Sequence, residues 1–256
     1  MLLAIDIGNT QTVLGIYEGE KLLHMWRVVS RIGDTSDELR IRLRALLGAD
    51  KLCDADIEGA VIASVVPALT HNWEKVCERT FDVEPLVITS AKCSHLLNIE
   101  KGTFAELGAD RIADAFAALK LYGAPSIVGD LGTATNIEIV GADGVFKGGI
   151  IAPGVESSMK SLLTSASLLR AVELEDPGVV LGTNTTEAIQ IGFVVGEGAR
   201  IDGLVERVEE SLGYEIPNVI ATGGLSHRIA PLSRKIKEVN LELTLEGLRL
   251  IYNELA

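Results

Sequence analysis

Cysteine is scarce in this chain. The three that occur, Cys53, Cys77 and Cys93, are widely separated and form no Cys-x-x-Cys pair, which argues against both a disulfide framework and a thiolate zinc site. A reducing cytoplasm is the expected setting. Basic charge is also in deficit: 23 Lys and Arg against 36 Asp and Glu give a formal net charge of −13. No run of Lys or Arg offsets the resulting repulsion from nucleic-acid phosphates and anionic membranes, so neither is an expected partner. No apolar run approaches the ~18 residues of a membrane span. The apolar stretch 1–5 ends at Asp6 without a basic leader, too short for a signal peptide. His24, His71, His95 and His227 are isolated, with no paired spacing, and read as surface or hydrogen-bonded core residues. Trp26 and Trp73 read as core, and Glu173, Glu175 and Asp176 as a solvated charge run.

What the chain does have is a near-repeat. Residues 2–10 end an apolar run in Asp6-Ile7-Gly8-Asn9-Thr10, and residues 127–135 do the same in Asp130-Leu131-Gly132-Thr133-Ala134-Thr135, about half of the 256 residues later. Either copy alone could be an ordinary hairpin with Asp-Gly punctuation. Both together suggest a phosphate clamp built from two related domains. Glycine lets backbone approach an anion, amides and hydroxyls then donate to it, and each adjacent carboxylate can hold the accompanying cation. Halves of this length can each bury a core, and the hydrophobic fraction of 47% agrees.

The pattern between the repeats alternates strands and helices. Strand-like runs at 2–7, 11–17 and 21–29 open the chain as a meander. Asp34-Thr-Ser-Asp37 offers caps ahead of a helix carrying Leu39, Leu43, Leu46 and Leu47. A buried strand at 59–65, ended by Pro67, leads to a helix at 70–80 and a strand at 85–89, then to a helical pattern over 106–122. The second half repeats the design, with strands running into Asp130 and at 136–140 and 145–149. Helices at 155–163 and 186–212, a strand at 218–222 and a terminal helix at 244–255 complete it. No Pro/Gly/Ser linker separates the halves. The expected fold is therefore α/β, with two related domains, 1–115 and 116–256, facing each other across a cleft.

This strand–Asp-x-Gly–strand unit, present twice and followed by Thr-Gly-Gly after a later strand, resembles the acetokinase/sugar kinase/Hsp70/actin superfamily, whose domains are actin-like (ribonuclease H-like). Within it six motifs, Asp6-x-Gly-Asn-Thr10, Gly108-Ala-Asp-Arg111, Asp130-x-Gly-Thr-Ala-Thr135, Gly148-Gly-x-Ile-Ala-Pro-Gly154, Gly182-x-Asn-Thr185 and Ala221-Thr-Gly-Gly224, stand in the order and spacing of type III pantothenate kinases. The resemblance covers essentially the whole chain. It implies transfer of phosphate from ATP to pantothenate, the first step towards coenzyme A.

Phosphoryl transfer passes through a metaphosphate-like transition state, so a protein must mainly position two reactants and neutralise phosphate charge. Asp6 would hold Mg²⁺, with Ile7, Gly8, Asn9, Thr10, Gln11, Thr12 and Val13 forming the first ATP-binding segment. The resemblance assigns Gly132 and Thr133 to ATP, Gly223 and Gly224 to the adenosine loop, and Asp130 to a monovalent cation, K⁺ or NH₄⁺. Asp110 is the candidate base. By itself, an acidic residue opening a helix could merely complement the helix dipole, but an attacking alcohol must lose a proton and a carboxylate is the usual acceptor. The family assigns the base to this Asp, with Gly108, Ala109 and Arg111 beside it at pantothenate. Arg111 presents a fork suited to the substrate carboxylate.

The resemblance also implies a homodimer in which Thr185 reaches pantothenate in the neighbouring subunit. The helical stretches 155–163 and 186–212 hold more apolar residues than one surface face needs, among them Ile189, Ile191, Phe193, Val194 and Val195. A buried interior helix would carry the same pattern. The chain departs from the family in places. Residues 101–105 read Lys-Gly-Thr-Phe-Ala where many members carry Tyr and then Asn-Pro. Gly129 stands for a larger apolar residue, Glu138 for Asp and Asp114 for Asn. Two further readings stay open at this point: another small-molecule kinase of the superfamily, for instance one acting on a sugar, and a non-enzymatic regulator.

Overall fold

The computed structural model describes residues 1–99, 106–166 and 169–256. The chain runs β1 (Leu2–Ile7), β2 (Gln11–Glu18), β3 (Lys21–Val29), α1 (Ser36–Ala49), β4 (Gly59–Ser64), α2 (Pro67–Phe81), β5 (Leu86–Val87), α3 (Ser90–Cys93) and α4 (Ala109–Leu121). It continues β6 (Ser126–Leu131), β7 (Ala134–Val140), β8 (Phe146–Pro153), α5 (Val155–Ser165), α6 (Thr185–Gln190), α7 (Gly196–Leu212), β9 (Asn218–Thr222), α8 (Ser226–Ile229), β10 (Glu238–Val239) and α9 (Leu243–Leu255). Two compact units result. One comprises Met1–Ala117 with Leu243–Ala256, the other Ala118–Glu242.

The two sheets are built alike. The first has the order β3-β2-β1-β4-β5 and the second, read in the same direction, β8-β7-β6-β9-β10. In each, the strand that ends in Asp-x-Gly pairs antiparallel with the next strand and parallel with a later one. In the register, Ile7 opposes Thr12 and Leu131 opposes Thr135. The near-repeat in the sequence is thus a duplicated structural unit.

In the first unit, one face of the sheet buries Leu3, Ile5, Ile7, Leu14 and Ile16 against Leu39, Leu43 and Leu47 of α1 and Leu69, Trp73 and Val76 of α2. The leucine spacing that predicts α1 is its buried stripe, and Thr35 caps the helix reciprocally with Glu38. Pro67, expected to end a strand, stands at the first position of α2, where its missing N–H costs nothing. The other face carries small residues. Gly15 and Gly59 leave room for Leu245 and Tyr252 of α9. A division of the sequence at 115/116 assigns α9 to the second half, whereas it packs on β1, β2 and β4.

The second unit buries Ile127, Leu131, Ile137 and Val219 of its sheet against Val155, Val194, Ile201 and Val205. Features of this unit differ from the sequence expectation. The helix expected over 186–212 is interrupted by a π-helical turn at Ile191–Val195. The two-residue strand β10 carries too little pattern to be read from the sequence.

Candidate active site

The first Asp-x-Gly segment occupies the carboxyl end of β1, the edge at which α/β sheets bind ligands. Asp6 is half-buried, Ile7 belongs to the core and Asn9, Thr10 and Gln11 are exposed. The Gly8 N–H donates to the Gln11 carbonyl at 3.0 Å, closing the turn. Ile7 therefore offers a ligand its backbone only. Thr12 is 1% exposed and its hydroxyl shares a 2.9 Å hydrogen bond with Ser30, while the Ser30 N–H donates to the Thr10 carbonyl at 3.0 Å. Thr12 and Ser30 thus brace the turn from behind. Val13 is half-buried within β2.

Asp110 lies in the first turn of α4. Its Oδ1 accepts the Arg111 N–H at 2.8 Å, and a Cβ on Gly108 would fall 2.5 Å from that oxygen and 3.5 Å from Val65. The Val65 N–H donates to the Ile7 carbonyl at 3.1 Å. Gly108 therefore lets the start of α4 settle against the chain leaving β4, at the same sheet edge as the first turn. Ala109 is buried, and Asp110 and Arg111 are half-exposed.

In the second unit, Asp130 stands half-buried at the end of β6, followed by half-buried Gly132 and exposed Thr133. The Gly132 N–H donates to the Ala134 carbonyl at 3.0 Å, and the Thr133 carbonyl accepts the Gly154 N–H at 3.1 Å and the Ser157 hydroxyl at 2.8 Å. A Cβ on Gly154 would stand 2.6 Å from that carbonyl oxygen, which accounts for the last glycine of the Gly148–Gly154 motif. Gly223, with φ +87°, packs against Asp130 and Leu131. The turn it begins is held by Ser226, whose hydroxyl donates to the Gly223 carbonyl at 2.7 Å, and by the Leu225 N–H on the Leu131 carbonyl at 3.2 Å. The segments containing Asp130, Thr133, Gly223 and Gly224 are thus brought together.

Thr185 is exposed at the start of α6. Asn184 caps this helix by accepting the Glu187 N–H at 3.0 Å, and Glu187 accepts the Thr183 N–H and hydroxyl at 2.7 and 3.0 Å. These bonds, the Thr183 backbone one foremost, hold the Glu187 carboxyl below its ordinary range despite some desolvation. Gly182 is required because a Cβ there would lie 2.7 Å from the Ala188 nitrogen. A cavity of about 690 Å³ opens beside this cap, lined in part by Leu162, Thr183, Thr185 and Phe193. Sequence reasoning missed Glu187, although Asn184-x-x-Glu187 has capping-box spacing. It also missed Ser30, Ser157 and Glu197, whose roles depend on chain segments distant in sequence.

The type III pantothenate kinase family model matches residues 2–207. The chain belongs to this family. A type III pantothenate kinase of Halalkalibacterium halodurans is 42% identical over 254 residues, 99% of either chain, and one of a Roseiflexus species is 43% identical over 253 residues, 98% of either chain. Among solved structures, the ROK hexokinase of Thermus thermophilus superposes with a TM-score of 0.51 over 100% of this chain and 99% of its own, at 14% identity. That likeness concerns the fold alone, an α/β fold of the actin-like, sugar-kinase type.

In this pantothenate kinase three departures from the family pattern, Gly129, Asp114 and Glu138, fall among the described residues. A Cβ at Gly129 would meet nothing closer than 4.0 Å, so glycine is not demanded there. Asp114 is buried and accepts the Thr244 hydroxyl of α9 at 2.7 Å, and Glu138 is buried in β7. The segment 101–105 lies outside the described residues. Among the described residues no group of three or more His, Cys, Asp or Glu converges. A divalent ion here would rest on Asp6 together with the phosphates it accompanies and water, which suits Mg²⁺. No helix among the described residues is long and apolar enough to cross a membrane.

Proposed function

We propose that this type III pantothenate kinase transfers the γ-phosphoryl group of ATP to the hydroxyl of pantothenate, yielding 4'-phosphopantothenate for coenzyme A synthesis, with Asp110 as the general base. The observation that carries this reading is the seat of Asp110. Its carboxylate opens α4 beside Gly108 and Val65, at the sheet edge where the first Asp-x-Gly turn emerges. As the substrate oxygen attacks phosphorus, its proton passes to the Asp110 carboxylate and ADP departs. Arg111, next in the chain, binds the pantothenate carboxylate.

In the first unit Gly8, Asn9, Thr10 and Gln11 bind ATP phosphate, and in the second unit Gly132 and Thr133 bind ATP phosphate. Gly223 and Gly224 carry the adenosine. Asp6 would hold Mg²⁺ and Asp130 would hold K⁺ or NH₄⁺, and positive charge at these carboxylates would offset the charge of the phosphates. The kinase works in the cytoplasm as a homodimer in which Thr185 serves the neighbouring subunit's pantothenate. Support for pairing is narrower than the apolar pattern suggests, since Val194 and Ile189 are 1% and 8% exposed within their own unit. Val180 and Leu181, by contrast, are 74% and 84% exposed. The decisive experiment is ADP release by the purified protein with ATP, Mg²⁺ and K⁺. Stimulation by pantothenate is expected. Equal turnover with and without it, alongside stimulation by another alcohol, would refute the assignment.

A further inference from the structure

The second Asp-x-Gly turn is anchored by a buried carboxylate, Glu197, that pairs with the partly exposed Arg200. Thr12 and Thr135 are equivalent in the two sheets, and both are nearly inaccessible, at 1% and 2% exposed. The Thr12 hydroxyl meets the neutral Ser30. The Thr135 hydroxyl donates instead to Glu197 at 2.7 Å. Glu197 is 5% exposed and pairs with Arg200 at 2.6 Å, and the Arg200 guanidinium also reaches the Pro153 carbonyl at 3.3 and 3.4 Å. Pro153 opposes Ala134 in the sheet and precedes Gly154, whose N–H holds the Thr133 carbonyl. The Glu197–Arg200 pair therefore touches Thr135 directly and, through the Pro153 carbonyl, the strand that flanks the 133–135 segment.

The helix is modified to deliver this carboxylate. Ile189 and Val194 are both buried, a spacing of five that an uninterrupted α-helix would turn out of phase. The π-helical turn at Ile191–Val195 absorbs the extra residue, and Glu197, Gly198, Ile201 and Val205 follow on the buried face. π-turns concentrate at functional sites. A buried carboxylate is costly unless paired and hydrogen-bonded, and packing alone would be served better by an apolar residue.

We propose that Glu197, oriented by Arg200, is a positioning residue that fixes the 131–135 turn for the ATP phosphates through the Thr135 hydroxyl. The inference rests on the reading of this turn as an ATP contact. The test is calorimetric titration of the full-length protein with ATP and Mg²⁺, using Thr135→Val, Glu197→Ala, the double variant and Glu197→Gln, with thermal melts alongside. Loss of a charged hydrogen bond should weaken ATP by about 10–150-fold in each single variant, while the pantothenate KM stays unchanged. The double variant should be no worse than the weaker single variant, since both remove one link. Glu197→Gln, which still accepts from Thr135, should recover most of the affinity.

Lowered melting temperatures with ATP affinity within twofold of the unaltered protein would overturn the proposal, as would multiplicative losses in the double variant. If Glu197→Ala does not fold, the near-isosteric Thr135→Val decides by the same criterion. An unaltered protein that binds ATP but leaves pantothenate unphosphorylated would refute the functional reading and spare this one. Failure to bind ATP at all would refute both.

Discussion

Asp130 and Gly223 are packed so closely that only glycine fits beside the carboxylate. A Cβ on Gly223 would overlap Asp130 Oδ1 and stand 2.7 Å from the Leu131 backbone nitrogen, and its φ of +87° is one that L side chains rarely adopt. Nothing lies within 4 Å of a Cβ on the next residue, Gly224. Gly223→Ala should therefore cost about 1–3 kcal/mol of stability and reduce kcat/KM for ATP at least ~10-fold, because relief of the clash must move the Asp130 turn. Gly224→Ala should leave the fold intact. Thermal melts and ATP saturation curves of the two variants would separate them, and equal behaviour would contradict the packing argument.

Asp110→Asn removes the proton acceptor while keeping its shape. A general base contributes 10²–10⁴-fold, so kcat should fall by about that factor with ATP affinity little changed. Near-normal turnover would reduce Asp110 to a carboxylate complementing the α4 dipole.

A monovalent cation on Asp130 predicts higher activity when Na⁺ is replaced by K⁺ or NH₄⁺. Asp130→Ala should abolish the response. Full activity in Na⁺ alone would count against the cation site.

The homodimer predicts about twice the 27.3 kDa chain mass in light scattering at micromolar concentration. If Thr185 serves the neighbouring site, inactive Asp110→Asn subunits mixed with inactive Thr185→Trp subunits should regain part of the activity, because one site of a mixed dimer retains both residues. A fully active monomer, or no recovery despite proven subunit exchange, would exclude sharing.

The capping carboxylate Glu187 sets a pH expectation. Its pKa is depressed from 4.5 chiefly by the Thr183 N–H and hydroxyl, so its contribution to the Gly182–Asn184 cap is complete above 4.5 and lost as the pH falls through the depressed value. The side-chain carboxyl carbon of Glu187 should titrate in NMR with a midpoint below 4.5, and a midpoint at or above 4.5 would mean that the cap does not hold in solution.

Much of this molecule was legible in its sequence because the relevant signals are local. Apolar runs ending in Asp6 and Asp130, the leucine stripe of α1 and the Asp of Gly108-Ala-Asp-Arg111 each specify a conformation or a chemistry within a few residues. The order of six such motifs identified the family. The segments that misled the reading depend on partners distant in the chain. Pro67 separates strand from helix in either reading, and only the completed helix reveals it as the first residue of α2. Helix α9 follows the second half in sequence but packs on the first sheet, where Gly15 and Gly59 make room for it.

By itself, then, the sequence determined the duplicated α/β design, the two glycine turns and the carboxylates beside them, since backbone freedom and side-chain chemistry are properties of single residues and short spacings. The tertiary structure decided which partner each buried hydroxyl meets. Thr12 and Thr135 are alike in their strands, yet the fold brings Ser30 to one and Glu197 to the other. Glu197 follows a π-helical turn at Ile191–Val195, with Ile189 and Val194 both buried, a change of helical phase that no local periodicity encodes.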